Sequence, residues 1–183
     1  MSARSVTARL IGLQSRLNAV AAGLAGVALL LMMLAGAADV LATNADLIGL
    51  PSRPVPSTNE FMATMMVAAV FLGLALAQQR GAHIQVTLGA LLDRRFGRSI
   101  AAVRHVLHGL FYALIAWFGW SVAMHSISTG EFAAGLVDFP VWPARLALAA
   151  GASLMTLQCA LDLAAAILGI PGSAERPPLQ PAH

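Results

Sequence analysis

No Asp, Glu, Arg or Lys interrupts residues 17–38, 61–79 or 105–130. Charge is scarce throughout: 10% of the chain is charged and 58% is hydrophobic, with a mean hydropathy of +0.77. A soluble domain carries about 25% charged residues, so this composition excludes a soluble enzyme. With 183 residues and short connections, the chain reads as a single membrane domain, residues 1–183. Lysine is absent, and all 11 basic side chains are Arg. The pI near 10.4 would suit a nucleic-acid binder. The net charge is only +3, however, and the arginines lie beside apolar runs, so membrane orientation explains them and no nucleic-acid partner is expected. There is one cysteine, Cys159, so no intrachain disulfide can form. Among small and apolar neighbours it reads as a small buried hydrophobe rather than a reactive thiol.

What is present is hydrocarbon-compatible helix. A crossing of the roughly 30 Å hydrocarbon layer takes about 20 mostly apolar residues. Four stretches qualify, with spans placed at about 18–40, 60–79, 103–127 and 145–169. The fourth is broken only by Asp162. The first follows Arg4, Arg9 and Arg16 and includes Ala35-Gly36-Ala37, which resembles a secretory cleavage site. Its uncharged run, residues 17–38, exceeds the usual 7–15-residue signal core. At 1.5 Å per residue it covers about 33 Å, a full crossing, so it reads as a retained helix.

Arginine sets the orientation. Arg4, Arg9 and Arg16 precede span one; Arg80, Arg94, Arg95, Arg98 and Arg104 lie between spans two and three; Arg176 follows span four. The other two connections hold only Arg53 and Arg145. The positive-inside rule therefore puts both termini and the middle segment in the cytoplasm. The outer connections, roughly 40–59 and 128–144, are rich in Gly, Pro and acids, and Trp117, Trp120 and Trp142 are placed near that outer boundary. The middle segment carries Leu88, Leu91, Leu92 and Phe96 on one helical face, and Gly97 is placed at the end of that helix. This predicts an amphipathic helix over about 85–97, lying in the interface with its arginines toward lipid phosphates. The proline-rich tail, about 171–183, is expected to be disordered. The fold class is thus all-α integral membrane: four transmembrane helices, N-in and C-in, with an interfacial helix between the second and third.

Few residues could carry chemistry. Glu60 closes Ser57-Thr58-Asn59-Glu60, an S-x-x-E capping box with Ser57 as N-cap, and its charge suits a helix N-terminus. Contact with a partner protein is the other reading. Asp39 ends the outward first helix, where negative charge is unfavourable; either water, or a cation such as Arg53 or a partner's, would compensate. Asp162 lies about 25 Å along the fourth helix, near its inner end. A solvated or inter-helix hydrogen-bonded carboxylate is favoured there over a transport site. His105 and His108 are one turn apart, but the other spans have no histidine to complete a bis-His haem. Zinc would want three or four ligands. No catalytic, cofactor or metal site is expected. Small residues (Ala19, Ala22, Gly23 and Gly26 in span one, Ala149, Ala150, Gly151 and Ala152 in span four) allow close helix approach, within the chain or against a partner.

One junction is more specific. Glu60…Phe71-Leu72-Gly73-Leu74-Ala75…Arg80-Gly81-Ala82-His83-Ile84-Gln85-Val86 resembles the small membrane subunit (Q subunit) of tripartite ATP-independent periplasmic (TRAP) transporters. Asp39-Val40 fits the same pattern, as does Pro140-Val141-Trp142-Pro143 followed by Gly151, Leu154 and Gln158. The likeness covers about residues 15–165. Thr87 and Thr43 stand where the family often has an acid and an Arg.

The resemblance implies a non-catalytic scaffold in the bacterial inner membrane, bound to a large multi-span subunit that carries substrate and sodium. A periplasmic solute-binding protein would deliver an organic anion such as a carboxylate. Membrane lipids are the remaining partner, and no cofactor is implied for this chain. By motif, Glu60, Arg80, His83 and Asp39 become subunit-interface or bundle-stabilising candidates. The span centres, empty of acids and bases, agree independently, because ion-coupled transport usually uses a mid-depth carboxylate, His or unwound backbone. The alternatives are a self-contained homo-oligomeric transporter using Glu60 or Asp162, and a membrane anchor for a redox enzyme.

Overall fold

The apolar runs fold as helices, and two of the helices are much longer than the runs they contain. A computed structural model describes residues 3–81, 90–133 and 137–168. It comprises α1 (Ala3–Thr43), α2 (Thr58–Gln79), α3 (Ala90–Thr129) and α4 (Trp142–Leu168), with two-residue strands β1 (Phe132–Ala133) and β2 (Phe139–Pro140). All four helices are long and apolar enough to cross a membrane. With 41 residues, α1 rises about 61 Å, roughly twice the hydrocarbon thickness. No proline precedes Pro51 to stop it. Its end is set by Asn44, whose backbone N–H and side-chain Nδ2 both donate to the Val40 carbonyl, at 3.1 and 2.7 Å. A 3-10 turn over Ala45–Ile48 follows, and Pro51, Pro54 and Pro56 bar helix until Thr58.

The expected interfacial helix is only partly within view. Residues 85–89 lie outside the described residues, and residues 90–97 are helical but do not stop at Gly97. They run unbroken into α3, which is 40 residues long. The expected stop fails because an interior glycine costs only about 1 kcal/mol, and the Arg, Ile and Ala residues around it sustain helix.

The helices lie in file, in the order α1–α2–α4–α3, and α1 additionally crosses α4. The interior is built from small residues. On α1, Ala21, Ala25 and Ala28 are buried while Leu24, Val27 and Leu31 face outward. This follows from packing in lipid, where close backbone approach rather than exclusion of water from large side chains drives association. The span-four small residues divide accordingly. Ala149, Gly151 and Ala152 are buried against neighbouring helices. Gly23 and Gly26 of span one meet nothing within 4 Å.

At one end of the file, β1 and β2 pair antiparallel, Phe132 opposite Pro140 and Ala133 opposite Phe139. This hairpin joins α3 to α4 and sits over the start of α2. We call this the hairpin end; the α1–α2 connection shares it.

Candidate functional site

Two clusters of polar groups, one toward each end of the bundle, hold the helices together. Furthest from the hairpin, amides from three helices meet. Asn18 of α1 donates through Nδ2 to Gln79 Oε1 of α2 at 3.0 Å and to Gln158 Oε1 of α4 at 2.8 Å. Gln14 Nε2 donates to Asn18 Oδ1 at 3.0 Å and to the Leu154 carbonyl at 3.2 Å. Gln158 Nε2 in turn donates to Asp162 Oδ1 at 2.9 Å. Asn18 is wholly enclosed, and Gln14, Gln158 and Asp162 are buried. His105 is buried on α3.

Asp162 is therefore a buried carboxylate held by Gln158 one turn earlier on its own helix, and not the solvated group that was one reading of it. The junction as a whole was not foreseen, since Gln14, Asn18 and Gln79 drew no notice. The signal was available: an Asn or Gln at the edge of an apolar run is costly in a membrane unless paired across helices. Among the described residues, no group of three or more His, Cys, Asp or Glu could hold a metal ion.

The hairpin end is tied differently. Ser57 has φ 60°, and its hydroxyl donates to the Val137 carbonyl of the α3–α4 connection at 3.2 Å. It makes no side-chain cap on α2, so the expected capping box does not form. The left-handed backbone at Ser57 turns its hydroxyl toward the neighbouring connection, and this tertiary bond replaces the local one. Phe61 and Phe139 stack edge to face with centroids 6.4 Å apart, sealing α2 under the hairpin. Arg145 pairs with Glu131, and His125 Nε2 lies 3.9 Å from the same carboxylate.

Asp39 belongs to this end. Its Oδ1 accepts the Val55 backbone N–H at 2.8 Å, a main-chain partner that was not among the readings of this residue. The backbone nearby is already anchored, with the Arg53 N–H bonded to Ala42 O at 3.2 Å and Ser52 Oγ to Thr43 O at 2.6 Å. Asp39→Ala is expected to cost about 0.5–1.5 kcal/mol, the net worth of one such bond. Limited proteolysis should then cut the 44–57 connection faster, while Asp39→Asn, which keeps the acceptor oxygen, should behave like wild type.

Glu60 is half-buried in the first turn of α2, with no hydrogen bond or ion pair among the described residues. Arg80 is exposed at the far end of the same helix, about 30 Å away. Asp39 and Glu60 thus share the hairpin end, and Arg80 stands apart from both. His83 lies outside the described residues. Within the resembling junction, Arg80-Gly81 is a helix stop: Gly81 has φ 64°, and its N–H bonds Gln78 O at 3.0 Å. Glycine adopts that left-handed conformation without steric penalty.

One tryptophan departs from expectation. Trp142 opens α4, but Trp120 lies nine residues short of the end of α3, about 14 Å deep. Its Nε1 donates to Ser153 Oγ of α4 at 3.0 Å, which satisfies an indole N–H that hydrocarbon could not. It is an inter-helix tie rather than a headgroup anchor.

This arrangement clamps helices at both ends and leaves an apolar exterior, with Leu24 and Val27 of α1 and Phe111, Leu114 and Phe118 of α3 all exposed. Such an exterior suits lipid or another membrane protein. Neither the curated proteins nor the solved structures contain a match to this chain. Residues 32–169 match the family model described as Tripartite ATP-independent periplasmic transporters, DctQ component; the chain belongs to that family and is the small membrane subunit of a TRAP transporter.

Proposed function

We propose that this subunit is a non-catalytic scaffold for a large multi-span membrane subunit, in a sodium-coupled importer of organic anions fed by a periplasmic binding protein. The sodium and the carboxylate substrate would be held by the large subunit. The observation that supports this most is where the intramembrane polar groups go. Asn18, Gln79, Gln158 and Asp162 bond one another at one end of the bundle. The centres of the first three spans carry no Asp, Glu, Arg or Lys. A self-contained transporter would use Asp162 or Glu60, yet Gln158 engages the first, and the second stands at the hairpin end.

Under the arginine distribution, the hairpin end faces the periplasm of a bacterial inner membrane and is available to the binding protein. By the same distribution the start of α3 faces the cytoplasm. Glu60 and His83 are contact residues for the large subunit, while Arg80 and Asp39 hold the ends of their helices.

Mild detergent extraction followed by mass measurement tests the scaffold reading. It expects one-to-one recovery with a much larger integral membrane protein, and no flux when this chain is reconstituted alone. A charge-assisted hydrogen bond is worth about 1.5–3 kcal/mol. Glu60→Gln, and separately His83→Ala, should therefore weaken the assembly about tenfold. Normal recovery and normal uptake for both variants would remove them as contacts.

A further inference from the structure

Between α3 and α4, on the face turned to the membrane, lies a groove of about 440 Å³. Phe111, Ile115, Phe118 and Val122 of α3 form one wall, Leu148 of α4 forms the other, and Arg145 is the one ionisable residue lining it among the described residues. The α3 positions recur at helical spacing, so they make a single stripe. Gly119 sets its depth, because a Cβ there would come within 3.0 Å of Leu148 Cδ2. From residue 111 to residue 122 the stripe runs about 16 Å, close to half the 30 Å hydrocarbon core. The groove is therefore about as long as one leaflet is deep.

Arg145 lies one turn closer to the hairpin than Leu148 and pairs with Glu131 just beyond the end of α3. That puts the charge at the headgroup end of the groove. A guanidinium has five N–H donors, more than one carboxylate consumes, and the Arg145 side chain is 34% exposed. Trp142, one turn away on α4, is 40% exposed at the level where indoles commonly meet headgroups.

We propose that this groove binds one phospholipid of the hairpin-side leaflet, with an acyl chain along the Phe111–Val122 stripe and its phosphate on Arg145. Size decides against a partner helix. Spread over about 16 Å, the volume gives a mean cross-section of about 27 Å², whereas a helix with side chains is about 10–12 Å across. Charge decides for a phosphate-bearing lipid, since the only ionisable lining group is a cation at the headgroup end.

The test is native mass spectrometry of the complete chain, with whatever subunits co-extract, after addition of phosphatidylglycerol or phosphatidylethanolamine. Wild type should retain one phospholipid through delipidation. Arg145→Gln should lower its occupancy about tenfold, as loss of one charge-assisted contact predicts. Leu148→Phe should lower it comparably by filling the groove while leaving the charge. Glu131→Gln, which breaks the same ion pair but spares the guanidinium, should keep the lipid, separating lipid binding from a merely structural salt bridge. Wild type holding no lipid, retention unchanged in both Arg145→Gln and Leu148→Phe, or efficient cross-linking of Phe118→Cys to another membrane protein would each overturn the proposal.

Discussion

Gly151→Ala is expected to damage the bundle more than any other added methyl. A Cβ at position 151 would overlap the carbonyl carbon and oxygen of Phe71 and stand 2.8 Å from Phe71 Cβ. The obstructing atoms are mostly backbone of α2, so no rotamer change can relieve the clash. The two helices must move apart, and the alanine-lined seam between them opens. Overpacking of this kind typically costs about 1–3 kcal/mol, and the backbone clash puts this case at the upper end. In mild detergent the melting temperature should fall by roughly 6–12 °C. Gly23→Ala and Gly26→Ala provide the control. They meet nothing within 4 Å and should change stability by less than about 0.5 kcal/mol. A Gly151→Ala protein that melts with wild type would show that α2 and α4 do not touch at this point.

Asn18→Leu is expected to have the second largest effect, for the opposite reason. Leucine fills nearly the same volume, so packing survives, but three hydrogen bonds disappear at once. Two estimates bracket the cost. Inter-helix hydrogen bonds in membranes average about 0.6 kcal/mol each, and the two lost here, to Gln79 and Gln158, give a floor of about 1. Buried groups left without partners cost about 1–3 kcal/mol apiece, and the substitution strands the Gln79 oxygen. A loss of about 1–3 kcal/mol follows, with α1 exchanging amide protons faster than α2 or α4. Combining Asn18→Leu with Gln158→Leu should cost less than the sum of the single changes, because each removes the same Asn18–Gln158 bond. Strict additivity in that cycle would mean the junction exerts no inter-helix coupling.

The four spans were legible because an uninterrupted apolar run of sufficient length has few other fates. The amide junction was not. Asn18, Gln79 and Gln158 carry no charge, stand 61 and 140 positions apart, and come together only through the α1–α2–α4 packing. Local motifs were the least dependable guide. Ser57-Thr58-Asn59-Glu60 has the composition of a capping box, yet Val137, 80 residues away, takes the serine hydroxyl instead. Gly97 carried a stop signal too weak to end a helix with strong formers on either side. Asp39 was recognised as needing compensation, but a backbone N–H, invisible to side-chain reasoning, supplies it. Gly151 stood in a stripe of small residues, and only the three-dimensional packing distinguishes its close backbone contact from the open surroundings of Gly23.

Four helices standing in a row, each touching little besides the next, present two broad flanks to their surroundings and keep few large side chains for themselves. The methionine at 155 is the bulkiest residue wholly enclosed. Such a palisade draws much of its cohesion from whatever presses on it. Its thermal endurance should track the thickness and chemistry of the surrounding amphiphile more steeply than that of a square bundle with a leucine centre, and purification will favour the detergent that best imitates a lipid wall.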